Sequence, residues 1–176
     1  MNKLKTIAIV VTHNRIKLLK RCLENLQIQT LKLDKVLVID NGSSDGTQAF
    51  LDSIEIEYIR QPNLGSAGGW YTGLKYAISK KYDAAWLMDD DGYPHKDAYM
   101  LLKSALKKNY ACISSVVINE VDHSKFVFPF PILNKNNMPK VGFKKTSINS
   151  LRELKELSKD DLYPWAHLFN GALISI

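Results

Sequence analysis

Asp89, Asp90 and Asp91 form the longest acidic run in this 176-residue chain, and they directly follow the apolar stretch Ala84-Ala85-Trp86-Leu87-Met88. Adjacent carboxylates repel one another, which costs stability unless a cation or hydrogen-bond donors compensate. A divalent ion is the natural compensator, and hard oxygen ligands favour magnesium, manganese or calcium. Alternate residues of an extended segment share a face, so Asp89 and Asp91 are placed to chelate together. Asp90 then points the other way, toward a ligand or a stabilising partner. Gly92 lets the backbone turn sharply after them. The plain alternative is a solvated acidic turn ahead of a helix beyond Pro94, since helix N-termini welcome Asp. Three carboxylates in a row after so apolar a run favour the metal.

Three further segments carry polar groups where an apolar run gives way. Val10-Val11-Thr12-His13-Asn14-Arg15 offers a hydroxyl at Thr12 and a guanidinium at Arg15. Ile39-Asp40-Asn41-Gly42-Ser43-Ser44-Asp45-Gly46-Thr47 offers Asp40 as an acceptor for a ribose hydroxyl or a base N–H. Asp45 could do the same or cap the helix that begins at Thr47. Asn63-Leu64-Gly65-Ser66-Ala67-Gly68-Gly69 precedes a helical pattern. Its glycines permit close backbone approach, and a helix N-terminus favours phosphate; simple packing explains Gly68 and Gly69 equally well. The loop is neither the dinucleotide fingerprint nor a P-loop. His13, His95 and His167 read as structural or exposed, and Tyr163 and Trp165 either stack on a sugar or close the core.

These segments need a scaffold, and alternating periodicities supply one. Thr6–Val11, Val36–Ile39, Glu57–Arg60, Ala84–Met88 and Cys112–Ile118 read as strands. Helical spacing appears at Ile16 to Leu26, Thr47 to Ser53, Trp70 to Ile78 and Ala98 to Leu106. That order predicts an α/β domain with a mostly parallel central sheet. From Asn119 to Leu162 the pattern weakens. Phe128-Pro129-Phe130-Pro131 cannot be a central strand, and Leu151 to Leu157 reads as a short helix. The hydrophobic fraction of 45% is globular, and no apolar run is long enough to span a bilayer. Cys22 and Cys112 read as buried free thiols. The net charge of +6 suits anionic substrates or an anionic membrane surface. Nucleic acid is not expected as a partner, because no basic stripe with interleaved aromatics is present.

Taken together and in order, the four segments resemble the family-2 glycosyltransferases, whose fold is GT-A, a Rossmann-like nucleotide-diphospho-sugar transferase fold. The closing Phe169-Asn170-Gly171-Ala172-Leu173-Ile174-Ser175 is similar to the family's segment before its catalytic acid. The resemblance implies one domain over 1–176. Residues 1–118 are its nucleotide- and metal-binding core, and 119–176 hold an irregular segment and the start of an acceptor-side part. It implies Asp89 and Asp91 at Mn2+ or Mg2+. It implies Thr12, Asn14, Arg15, Asp40, Asn41, Arg60, Asn63, Gly65, Gly68, Gly69 and Asp90 around the donor. The glycine loop and the triple Asp look most like the galactofuranosyl- and rhamnosyltransferase branches. The implied donor is therefore a UDP-sugar such as UDP-galactofuranose, or dTDP-rhamnose.

The implied reaction is transfer with inversion to a glycan or lipid-linked acceptor, in surface polysaccharide synthesis. The base of such enzymes follows the closing motif. It is expected C-terminal to Ile176, which makes the fold C-terminally incomplete; Asp160 and Asp161 lie on the wrong side of the motif. The alternatives are a non-catalytic donor-binding fragment and a sugar-nucleotide pyrophosphorylase. The latter family carries a glycine-rich loop after its first strand, where this chain has Thr12-His13-Asn14-Arg15. The expected location is the cytoplasm, either free or peripheral at the inner face of the cell membrane.

Overall fold

β-Branched and apolar residues without interruption make a strand that must be covered on both faces. In the computed structural model, which describes residues 4–106, 110–142, 145–158, 162–168 and 170–176, that strand is β1 (Thr6–Thr12), buried along its whole length. The chain continues through α1 (Ile16–Gln27), β2 (Lys35–Asp40), α2 (Thr47–Ser53), β3 (Tyr58–Arg60), α3 (Gly65–Ser79), β4 (Ala84–Asp89), α4 (Ala98–Ala105) and β5 (Cys112–Ser114). Then come β6 (Lys125–Pro131), β7 (Ser147–Ser150), α5 (Leu151–Leu157) and β8 (Ala172–Ser175).

The chain divides into two compact units, 1–115 with 168–176, and 116–167. The first holds a six-stranded sheet in the order β3-β2-β1-β4-β8-β5. β3, β2, β1 and β4 run parallel, while β8 is antiparallel to both β4 and β5. The expected mostly parallel α/β sheet is thus present. The last strand, however, enters between β4 and β5, so residues 168–176 join the first unit rather than the segment that begins at 119.

Alternation along β1 builds the two cores. Ala8 and Val10 face Leu19, Leu23 and Leu26 of α1, Leu51 of α2, and Tyr99 and Leu102 of α4. Ile7, Ile9 and Val11 face the other way, toward Ala77 of α3. Each fully buried aliphatic side chain contributes about 1.5–3 kcal/mol relative to exposure. α3 lies very close to the sheet because it carries glycine where it crosses β1. A Cβ on Gly69 would stand 2.6 Å from Val11 Cγ1, and one on Gly73 would stand 2.4 Å from Ile9 Cγ2.

In the second unit β6 and β7 form a two-stranded antiparallel sheet. Pro129 and Pro131 are tolerated there because every strand of such a sheet is an edge. Phe126, Phe130 and Ile148 make its small core, with Val116 and Tyr163 against them. Val116's place in that cluster explains why β5 stops at Ser114, short of the strand expected to run to Ile118. α5 begins where expected, on a reciprocal cap: Ser150 Oγ accepts from Glu153 N, and Glu153 Oε2 accepts from Asn149 N at 2.7 Å.

Candidate functional site

Strand register brings the polar segments together. Thr12 stands opposite Asp40, Asp40 opposite Arg60, and Val11 opposite Asp89. Four parallel strands therefore end in one row. The chain order also reverses there, with β2 on one side of β1 and β4 on the other. In open α/β sheets ligands bind in the crevice outside such strand ends.

The acidic run does not continue as a strand. β4 stops at Asp89, and the backbone turns, with Gly92 N donating to Asp89 O at 3.1 Å. Asp90 points inward and is 3% exposed. Its Oδ2 accepts from Thr12 Oγ1 at 2.7 Å, and its Oδ1 accepts from Arg15 Nη1 at 3.4 Å. Of the two roles expected for Asp90, donor contact and stabilising partner, this geometry fits the second. Asp89 is half-buried, and Asp91 is 47% exposed with Arg15 Nη1 at 3.6 Å. Burial raises the Asp89 carboxyl above the usual aspartate range; the charge of Asp91 adds to this and a hydrogen bond from Ser66 opposes it. Burial also raises Asp90, against the Thr12 hydroxyl and the Arg15 charge.

On the other side of β1, Asp40 is fully buried. It accepts from Ser43 N at 2.9 Å and from Arg60 Nη1 at 3.0 Å. Arg60 also donates to Ser43 O at 2.8 Å and remains 40% exposed, so it carries this cluster to the surface. Asn14 takes a positive φ of 53° and ties the first loop to the second. Its N–H donates to Ser43 Oγ at 2.9 Å, and its Oδ1 accepts from Ser44 N at 2.7 Å. Asp45 caps α1 rather than only its own helix. It accepts from Ile16 N at 2.9 Å and from Thr47 Oγ1 at 2.6 Å, bonds that hold its carboxyl below the usual range.

The glycine segment read from the sequence as a loop is in fact the first turn of α3, which begins at Gly65, and it hangs from a short relay. Thr72 Oγ1 donates to Gln61 Oε1 at 2.7 Å, Gln61 Nε2 to Asn41 Oδ1 at 2.8 Å, and Asn41 Nδ2 to Gly65 O at 3.1 Å. Asn63 Oδ1 accepts from Gly65 N at 3.0 Å. Gly65 takes φ 70°, a turn conformation glycine adopts without strain.

The expected donor-side residues therefore fall into two groups. Thr12, Asp40, Asn41, Gly69 and Asp90 are buried, where their side chains hold neighbouring groups in place or pack. Asn14, Arg15, Arg60, Asn63 and Gly65 are exposed, and Gly68 is half-exposed. Sequence reasoning missed Gln61 and Thr72, which carry no motif signal, and gave no separate role to Ser43, Ser66 or Asn170. Asn170 Nδ2 donates to Asp91 Oδ1 at 2.8 Å. His13 and His95 are exposed, while His167 packs on Phe130, ring centroids 4.9 Å apart. Tyr163 donates from its hydroxyl to Pro131 O at 2.8 Å. Cys22 is buried and Cys112 half-buried, both free; burial pushes the Cys22 thiol up to about 12. Asp160 and Asp161 lie outside the described residues.

Among the described residues no group of three or more His, Cys, Asp or Glu side chains could hold a metal ion. A magnesium-like ion needs only one or two protein carboxylates when substrate phosphates and water complete its shell. Asp89 and Asp91 suit that partial role: both are hard oxygen donors on one turn, and both are more exposed than Asp90. No helix among the described residues is long and apolar enough to cross a membrane.

The model of the family described as Glycosyl transferase family 2 matches residues 7–153. The galactofuranosyltransferase GlfT1 of Mycolicibacterium smegmatis is 34% identical over 172 residues, covering 94% of this chain and 54% of that protein. The chain thus spans about half the length of that relative. Among solved structures, S. aureus TarS (residues 1–349) aligns with a TM-score of 0.56 at 20% identity, over 86% of this chain and 48% of that one. The mannosyltransferase PcManGT of Pyrobaculum calidifontis, in complex with GDP-Man and Mn2+, aligns with a TM-score of 0.55 at 22% identity, over 64% and 35%. These two likenesses speak to the fold, which is that of the GT-A glycosyltransferases.

Proposed function

The chain belongs to glycosyl transferase family 2, and on that premise we propose that it binds a UDP-sugar, UDP-galactofuranose in the first instance, for inverting transfer to a glycan or lipid-linked acceptor. The observation that carries this reading is the turn after β4. It leaves the carboxylates of Asp89 and Asp91 more exposed than that of Asp90 at the sheet's switch point, while Thr12 and Arg15 hold Asp90 inside. The galactofuranosyltransferase name of the relative supports the sugar. The cation bound by the neighbouring mannosyltransferase supports a metal.

Asp89 and Asp91 would hold Mn2+ or Mg2+ on the donor diphosphate. When bound, the ion neutralises charge that develops on the departing diphosphate. The described residues bind and position the donor. Arg60, anchored by Asp40, meets the nucleotide, and the first turn of α3, Gly65–Gly69, lets backbone come close to the donor. The acceptor hydroxyl oxygen bonds to the anomeric carbon as that carbon's bond to the diphosphate oxygen breaks. The bonding pair leaves with the diphosphate, and the hydroxyl proton passes to a carboxylate base. Holding both substrates in line is itself a large part of such catalysis.

A nucleotide panel tests the donor assignment. With Mn2+ present, UDP should raise the melting midpoint more than dTDP or GDP at equal concentration, and Arg60→Ala should remove most of that difference. An equal response to all three would sink the uridine reading, and a larger response to dTDP would move it to a deoxythymidine donor.

A further inference from the structure

The closing strand brings a side chain to the acidic turn from far along the chain. β8 runs antiparallel beside β4 with Ala172 opposite Leu87, and Gly171 N donates to Leu87 O at 2.8 Å. That pairing sets residue 170 against the turn that follows β4. The backbone there is left-handed, with φ 20° at Asn170 and 98° at Gly171, which Asn and Gly adopt most readily. Asn170 Oδ1 accepts from Asp89 N at 3.2 Å, and its Nδ2 donates to Asp91 Oδ1 at 2.8 Å. One carboxamide thus bridges the first and third residues of the acidic run. The turn is shaped around it, since a Cβ on Gly92 would stand 2.5 Å from Asn170 Oδ1.

We infer that Asn170 is a positioning residue for donor binding: it fixes the Asp91 carboxylate beside Asp89, so that the two meet a cation and its diphosphate already aligned. The inference rests on the reading of Asp89 and Asp91 as the cation pair. Without the amide, the exposed Asp91 carboxylate would keep, among the described residues, the longer 3.6 Å contact with Arg15 Nη1, which orients it less firmly. Hydrogen-bonded partners of ligating groups fix their orientation, and losing one typically costs about 10–100-fold in metal affinity.

The test is calorimetry of Mn2+ with UDP present, of UDP alone in chelator, and the melting midpoint without ligand, for wild type and Asn170→Gly. Glycine keeps the positive φ and removes only the side chain. Mn2+ affinity should fall by about tenfold or more, with UDP affinity in chelator unchanged. Gly92→Ala reaches the same bond from the other side, by pushing the amide away. It should weaken Mn2+ similarly, and the double variant should be no worse than Asn170→Gly alone, the mark of one shared interaction. If either single variant fails to fold, the other carries the test. Unchanged Mn2+ affinity in a folded variant, or an equal loss of UDP affinity in chelator, overturns the role of Asn170. A wild type with no Mn2+-dependent UDP binding overturns instead the cation reading beneath it.

Discussion

At the scale of single residues, the acidic turn divides one residue type among three environments. Asp90 is tied down by Thr12 and Arg15, Asp91 is exposed, and Asp89 is held half-buried beside a like charge. The raised Asp89 carboxyl makes a stability prediction with a definite sign. A carboxyl whose folded pKa lies above its unfolded value favours the fold while protonated, and that favour is lost as pH rises through the folded value. At neutral pH the charged Asp89 therefore works against the metal-free fold. Asp89→Asn should raise the metal-free melting midpoint by about 2–4 °C, the equivalent of roughly 1 kcal/mol for a chain of this size, while removing Mn2+ binding. The gain should shrink as pH falls through the raised pKa toward the ordinary aspartate range, because the wild type then protonates. Thermal melts of both proteins across pH check this, and a gain that grows on acidification would contradict it. The sequence shows three aspartates but not how they part. That depends on the turn at Gly92 and on Asn170, which stands 79 positions beyond Asp91.

At the scale of elements, the glycines of α3 matter more for packing than their loop context suggests. Gly69 and Gly73 sit one helical turn apart, against Val11 and Ile9 of β1. A methyl group at either must push a buried strand or lift the helix whose first turn is Gly65–Gly69. Gly73→Ala should cost about 1–3 kcal/mol, read as a lower denaturation midpoint, and pairing it with Ile9→Val should recover part of the loss. A neutral Gly73→Ala would mean that α3 is free to shift. Most elements were legible because period is a local signal. The apolar run of β1, the heptad-like spacing of α1 and the helix at Leu151–Leu157 all lie where the pattern puts them. β6 was not legible as a strand, because its two prolines exclude only a central position and its small sheet has none. Gln61 and Thr72 were missed for the same kind of reason: their relay to Asn41 exists only once β2, the loop and α3 are assembled.

At the scale of the molecule, the candidate site belongs to one compact unit, built from residues 1–115 and 168–176. The ordered motifs announced that unit's sheet and its crevice, since each polar segment ends an apolar run and parallel strands ending together must gather them. What the order could not announce was the insertion of β8 between β4 and β5, a long-range pairing with no local signature. The second unit had little periodicity to read, and its core rests on a few aromatic contacts among Phe126, Phe130 and Tyr163. The net charge of +6 agrees in sign with the proposed anionic donor, and on the proposed reading the specific attraction would be local, at Arg15, Arg60 and a cation. The most direct measurement is calorimetric titration of UDP into the protein with Mn2+ and in chelator, beside Asp91→Asn. Binding in Mn2+ at least about tenfold tighter than in chelator, with that gain lost in Asp91→Asn, is the predicted result. Binding that is indifferent to Mn2+, or a metal-dependent gain that survives in Asp91→Asn, would contradict it.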